Sequence, residues 1–284
     1  MHEIAGAALF VFSKAEGEIR LGPMSFPKSE RVIYRRNPLI EVICQLRFSP
    51  ILRINAELPA VFQELLRRDY PILREQHAKV EGMPLPPEVD RVVSFLAKDA
   101  GTVYEFVSED AVWRVSLAKD FVALTTTNYE RWEAFQSRIS NVLDVLKETY
   151  NPPFFTRIGL RYQDAIARSE LGLENCAWPE LLRSEVCGEL QSQDVAANIL
   201  GTKRQVLFKL DKSGGRVRLA HGLSTNERTK EVGYLIDADF YTEQRTEVKD
   251  VLGILGSYNR QAGNLFRWCI SDRLHHAMEP YTPD

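Results

Sequence analysis

Two polar rows in this chain have residue types and a spacing suited to gripping an anion. Glu41, Gln45 and Arg47 are interleaved with apolar Val42, Cys44 and Leu46, and Arg157, Arg161 and Gln163 with Ile158, Leu160 and Tyr162. A repeat of two puts each row on one face of a strand. A guanidinium fork meets an oxyanion through two parallel N–H···O bonds, so Arg47 and Arg161 as a pair would clamp a phosphate, a carboxylate or an acidic partner loop. The competing expectation is internal, with Glu41 neutralising an arginine across the sheet. Asp237 and Asp239 also share a strand face, either as a carboxylate pair or as simple solvent-facing residues.

A second cluster is purely basic. Residues 196–230 carry Lys203, Arg204, Lys209, Lys212, Arg216, Arg218, Arg228 and Lys230 against only Asp211 and Glu227. A hairpin of this charge could track a nucleic-acid backbone or an acidic partner. Its aromatic content is too low for base stacking, Phe208 being expected in the core, and a solvated hairpin face is the plain alternative.

Other chemistry is poorly supported. His275 and His276 are adjacent, so on a helix they point about 100° apart and do not share a metal as residues at i and i+4 do. His2, His77 and His221 lie far away in sequence. Ser213-Gly214-Gly215 lacks the Lys-Ser/Thr and helix that complete a phosphate loop, and no Gly-x-Ser-x-Gly occurs. Cys44 and Cys269 fall on apolar faces and read as packing thiols. No catalytic residue, cofactor or metal site is therefore expected.

The elements that would hold these rows repeat. Asn37-Pro38 and Leu46-Arg47-Phe48 return as Asn151-Pro152 and Leu160-Arg161-Tyr162, both 114 residues on (Asn37 to Asn151, Arg47 to Arg161). The first pass has a strand over 39–48 and a helix from Asn55 to Pro71. Strands over 92–97, 103–107, 112–117 and 121–126 follow, then a helix capped by Thr127 or Asn128 with Trp132, Phe135, Ile139, Val142 and Leu146 on one stripe. The second pass has a strand around Ile158–Tyr162, a short helix opened by Trp178-Pro179 and a weakly marked strand near 190–200. A hairpin of 206–210 with 217–219, a strand over 234–240 and a helix from Glu243 to Met278, kinked at Gly253, Gly256 or Gly263, complete it. The expected fold is α+β: internally duplicated β-α-β4-α units forming an antiparallel sheet with long helices on one face. Residues 1–29 would be a leader, 30–150 the first unit and 151–284 the second, together one structural body.

That arrangement resembles, in topology, the duplicated saddle of the TATA-box-binding protein. The stretch from Glu30 to Phe48, with Asn37-Pro38-Leu39 and Leu46-Arg47-Phe48 at its centre, is similar to the signature of a sporadically distributed bacterial family of uncharacterised proteins, and Phe266–Met278 resembles its closing helix. The resemblance implies a cytoplasmic bacterial protein, inherited patchily in the manner of accessory, defence-linked or toxin-linked genes. It brings no catalytic residues.

Composition narrows the partners. The formal net charge is −3, and the basic and acidic residues divide evenly between the halves, so there is no global nucleic-acid-binding signature. Ile4–Phe12 lacks the basic flank and length of a signal peptide, no stretch reaches the roughly 18–20 apolar residues of a membrane span, and the four cysteines show no CxxC pairing. The expected function is a binding or regulatory module that offers its sheet face and basic hairpin to a protein or anionic ligand. The alternative is an enzyme with a site between the repeats, drawn from Glu41, Arg47, Arg161 and Asp164. The sequence leaves the oligomeric state open.

Overall fold

The computed structural model describes residues 26–77, 102–210 and 214–283. The strand expected over 92–97 lies outside these residues, as do Lys212 and most of the leader.

The fold is mixed α+β, organised, among the described residues, on a nine-stranded antiparallel sheet. Two strands form its centre: β2 (Leu39–Arg47) and β7 (Arg157–Ile166), paired antiparallel with Gln45 opposite Gly159. Each opens onto a meander. On one side β6 (Phe121–Thr126), β5 (Trp113–Ala118), β4 (Thr102–Val107) and β3 (Ile72–His77) follow outward from β2. On the other, β10 (Val232–Thr242), β9 (Arg216–Thr225) and β8 (Arg204–Lys209) follow outward from β7. A short ribbon pairs β1 (Ile33–Tyr34) with β11 (Pro280–Tyr281) and so ties the start of the described chain to its end.

One sheet face carries Val42, Cys44, Leu46, Ile158, Leu160, Val217, Ile236 and Phe240, all buried. Against this face lie the apolar stripes of two long helices. In α3 (Trp132–Thr149) the buried residues are Phe135, Ile139, Val142, Leu143, Val145 and Leu146; in α6 (Val251–Cys269) they include Val251, Leu255, Tyr258 and Leu265. Smaller helices fill the flanks: α1 (Arg53–Ala56) and α2 (Ala60–Leu66) after β2, α4 (Trp178–Leu181) and α5 (Ser184–Cys187) after β7, and α7 (Asp272–Ala277) at the end. No described helix is long and apolar enough to cross a membrane.

Several boundaries differ from the sequence reading for identifiable reasons. Pro59 divides the first expected helix into α1 and α2, and the chain after Pro71 forms the edge strand β3. Ile40 is 47% exposed rather than on the buried face, because a β-bulge between Leu39 and Glu41 shifts the alternation. The helix α3 starts at Trp132 after an extended Arg131, without a side-chain cap. Residues 188–198 form 3₁₀ turns, not a strand, so among the described residues the second half shows three strands after β7 where the first has four after β2. The last helix breaks not at a glycine but at Ile270, whose extended backbone bridges to Leu182, and restarts at Ser271, whose Oγ accepts from Leu274 N at 3.2 Å.

Candidate functional site

The face opposite the long helices holds both polar rows, and their charges are paired internally. Arg157 Nη2 donates to both oxygens of Asp239 (3.1 and 2.9 Å), and Arg218 donates to Asp239 Oδ2 at 2.7 Å. Arg161 grips Asp237 through Nε at 2.7 Å and Nη2 at 2.5 Å, which pushes the guanidinium pKa upward. Gln45 Oε1 accepts from Arg157 at 3.2 Å. The Gln163 amide lies between its neighbours, with N donating to Glu41 at 3.2 Å and O accepting from Arg161 at 2.8 Å. Glu41 in turn stands 3.8 Å from Arg114. Asp237 and Asp239 are therefore arginine partners with side chains only 15% and 8% exposed, not a solvent-facing carboxylate pair.

Register decides what happens to the arginine clamp. Arg47 lies opposite Arg157, whereas Arg161 lies opposite Ile43, four residues and roughly 13 Å along the strand. Arg47 pairs with Asp120 at 2.8 Å. Glu41, Arg161 and Gln163 thus gather beside Asp237, Gln45 and Arg157 beside Asp239, and Arg47 sits apart at the edge of the row. The basic hairpin is similarly tied down: Arg204 pairs with Glu189 at 2.7 Å and Arg216 with Glu243 at 3.3 Å, while Lys203 and Lys209 are exposed.

The helix-covered face carries a different feature. Tyr162 and Asp164 belong to the apolar parity of β7, between Leu160 and Ile166, and the bulge in β2 sits beside Asp164, whose register partner is Leu39. Above them, α6 presents Asn259, Gln261, Asn264 and Arg267. The extended segment 28–34 and the loop 129–132 close the sides of a cavity of about 500 Å³. The segment is held across α6 by Ser29, whose N and Oγ both approach Asn264 Oδ1 at 3.1 Å. Arg31 secures it with two contacts to Glu133 (2.7 and 2.8 Å).

Asp164 is 6% exposed, and no hydrogen bond or ion pair reaches its carboxyl group from the described residues. Burial, helped by the charge of Asp237, pushes its pKa up to about 8, so it is protonated at neutral pH. Beside it Asn259 Nδ2 donates to Tyr162 OH (2.9 Å) and Tyr129 OH (3.2 Å), and these two rings meet edge to face at 5.7 Å. Tyr34 OH bonds His275 Nδ1 at 2.8 Å; burial pushes Tyr34 and Tyr129 up to about 12 and His275 down, so all three are neutral near pH 7. Gln261 Oε1 is buried without a hydrogen-bond partner among the described residues.

A second cavity of about 400 Å³ adjoins the first and shares Lys28, Ser29, Glu30, Val32 and Arg267 with it; Pro27, Arg183, Trp268 and His275 complete its wall. Of the four residues proposed for an interdomain site, Glu41, Arg47, Arg161 and Asp164, only Asp164 lines either cavity. The other cavity groups went unread, though an acid in the apolar row of β7 and asparagines beside the stripe of α6 were visible signals.

Chemically, the cavity offers a neutral carboxyl group, amide donors and aromatic walls, with Arg31, Arg131, Arg260 and Arg267 also among its lining residues. Burial pushes the Cys44 and Cys269 thiols well above their usual range, away from nucleophilic thiolates. Among the described residues no group of three His, Cys, Asp or Glu side chains could hold a metal ion. In comparisons with known proteins, no protein-family model and no curated protein matches this chain.

Proposed function

We propose that this chain is a small-ligand-binding module whose site is the cavity between the sheet and α6, rather than the arginine-bearing face. The observation that carries this reading is Asp164: an acid 6% exposed, without a described partner, bordering about 500 Å³ of space. An unpaired buried polar group is destabilising by about 1–3 kcal/mol, which folding alone would select against. Perturbed acids in concave, largely apolar sites are the usual mark of a binding or catalytic function. The pairing of Arg157, Arg161, Arg204, Arg216 and Arg218 with carboxylates argues against the opposite face or the hairpin as the main anion site.

Binding rather than catalysis is favoured because the tyrosine hydroxyls of the cavity are held protonated by burial and the Ser29 hydroxyl is bonded to Asn264. The same cavity supports an ancestral duplication. An offset of 114 carries Gln45 onto Gly159, its partner across the β2–β7 pair, so a pseudo-twofold axis would pass between them. Under that axis β2, β6 and β5 correspond to β7, β10 and β9, and the cavity draws its walls from both halves.

The test is a thermal-shift screen of a metabolite library against the wild type, Asp164→Leu and Arg161→Gln. A ligand that stabilises the wild type and Arg161→Gln but not Asp164→Leu is expected. Ligands whose effect depends on Arg161 and ignores Asp164 would place the site on the opposite face and overturn the proposal.

A further inference from the structure

We infer that this chain associates with a second copy of itself through α2, the two helices lying antiparallel across a twofold axis with Leu58, Val61 and Leu65 between them. The surface is separate from the cavity, and the inference does not rest on the ligand reading. What singles out α2 is that it is apolar on both sides. Phe62 and Leu66 are buried against the body of the protein, the Phe62 ring meeting Phe106 at 5.4 Å and Tyr150 at 6.1 Å between centroids. Val61 and Leu65, one turn apart on the other side, are 67% and 40% exposed, and Leu58, three residues before Val61, is 71% exposed. A helix with apolar residues all round is ordinarily a covered one.

The patch continues to both sides of the helix. Leu73, also exposed, is the cross-strand partner of Phe106 and so borders α2 on the β3 side. Leu52, 74% exposed, precedes α1, where Arg53 stacks over the Tyr150 ring at 5.1 Å. Both flanks therefore adjoin the surroundings of Phe62. Exposed apolar side chains gathered in this way mark an interaction surface.

The charges around the patch identify its occupant. Arg53, Arg67 and Arg68 are matched by Glu57, Glu64 and Asp69, so the rim has no net charge to draw a polyanion, a basic segment or an anionic membrane. Their order along the stripe is nonetheless asymmetric. Glu57 precedes it and Arg68, three residues beyond Leu65, closes it; Asp69 N and Tyr70 N both bond Leu66 O, which carries the helical turn past Arg68. Glu57 and Arg68 are exposed and neither has an ion pair among the described residues, whereas Arg67 pairs with Glu64 at 3.0 Å. Turning a second copy antiparallel about a point midway between Val61 and Leu65 sets Val61 against the partner's Leu65 and brings Glu57 toward the partner's Arg68, each contact being made twice. That is the self-complementarity a symmetric dimer requires.

Size sets the strength. The patch and its rim fall short of the roughly 20–30 residues per side, about 800 Å² per partner, of a standard stable interface, so the dimer is a weak one that forms as concentration rises. Exposed ion pairs add little affinity, and here they fix the orientation of the two helices.

The experiment is sedimentation equilibrium of the full chain from about 1 μM to about 1 mM, the range of a weak association. The mass should rise from that of one chain toward that of two. Val61→Asp should weaken the association by about tenfold or more, with the melting temperature at low protein concentration unchanged because Val61 is exposed in the single chain. Glu57→Arg and Arg68→Glu should each weaken it severalfold, and the double variant, which exchanges the two charges, should recover it. A single-chain mass at every concentration would overturn the inference, and so would a dimer indifferent to Val61→Asp, which would place the contact elsewhere. A dimer lost in Val61→Asp and not recovered by the charge exchange would overturn the antiparallel packing of α2.

Discussion

Replacing Asp164 by Asn should stabilise the empty protein, and by an amount that grows with pH. In the unfolded chain the carboxyl ionises above its ordinary value of 3.8, whereas in the fold it holds its proton until about pH 8. Between those values the native state binds the extra proton, so wild-type stability falls as pH rises, and the loss is complete once the folded group ionises. Each pH unit in the window is worth at most about 1.4 kcal/mol, so the full interval sets a ceiling of roughly 5–6 kcal/mol. Relaxation around the cavity and the burial of the new amide, itself about 1–3 kcal/mol, reduce the gain. A net stabilisation of about 1–3 kcal/mol at pH 8, vanishing near pH 4, is expected. Urea unfolding of both proteins at pH 4.5, 6, 7 and 8 reads it directly. Wild-type and variant stabilities that run parallel within about 0.5 kcal/mol over this range would show that Asp164 is either solvated or paired, and would remove the physical basis of the site.

Other expectations follow from the packing and the charge network. Phe135→Ala, at a fully buried position of α3, should lower stability by about 3–5 kcal/mol, and Trp132→Ala, partly buried at the cavity edge, by distinctly less; equal losses in chemical denaturation would contradict the placement of the two rings. Ser271→Ala removes the cap of α7 and the bond from Ser271 Oγ to Glu180 O and should lower stability by about 1–2 kcal/mol, with Ser271→Thr, which keeps a hydroxyl, restoring it; no change in melting temperature for Ser271→Ala would mean the cap is idle. Arg218→Glu places a carboxylate beside the buried Asp239 and should destabilise the protein, whereas Arg216→Glu, at a more open pair, should be close to neutral. Matching melting curves for these two charge reversals would refute the difference.

Much of the sheet was legible because a half-buried strand writes its two faces into alternate residues: β2, β7 and β10 could be read this way, and the stripe of α3 by its helical spacing. What escaped depends on contacts between distant segments. β3 offers only Ile72 and Leu73 before a charged run, the β1–β11 ribbon joins residues nearly the whole chain apart, and the break at Ile270 exists because Leu182 pairs with it. The arginine rows were visible, but their meeting with Asp237 and Asp239 follows from the β7–β10 register, which no local pattern specifies. The cavity was harder still, since Tyr34, Tyr129, Asp164 and Asn259 come from four separate elements. Asp164 alone broke a local rule, a charge in the apolar row of a central strand.

The claim that the cavity around Asp164 is the ligand site is tested most directly by native mass spectrometry. The wild type, Asp164→Leu and Arg161→Gln would each be exposed to the same cell extract and gently desalted. A small-molecule mass increment shared by the wild type and Arg161→Gln and missing from Asp164→Leu is expected. Equal occupancy of wild type and Asp164→Leu, or an increment lost only in Arg161→Gln, would contradict it.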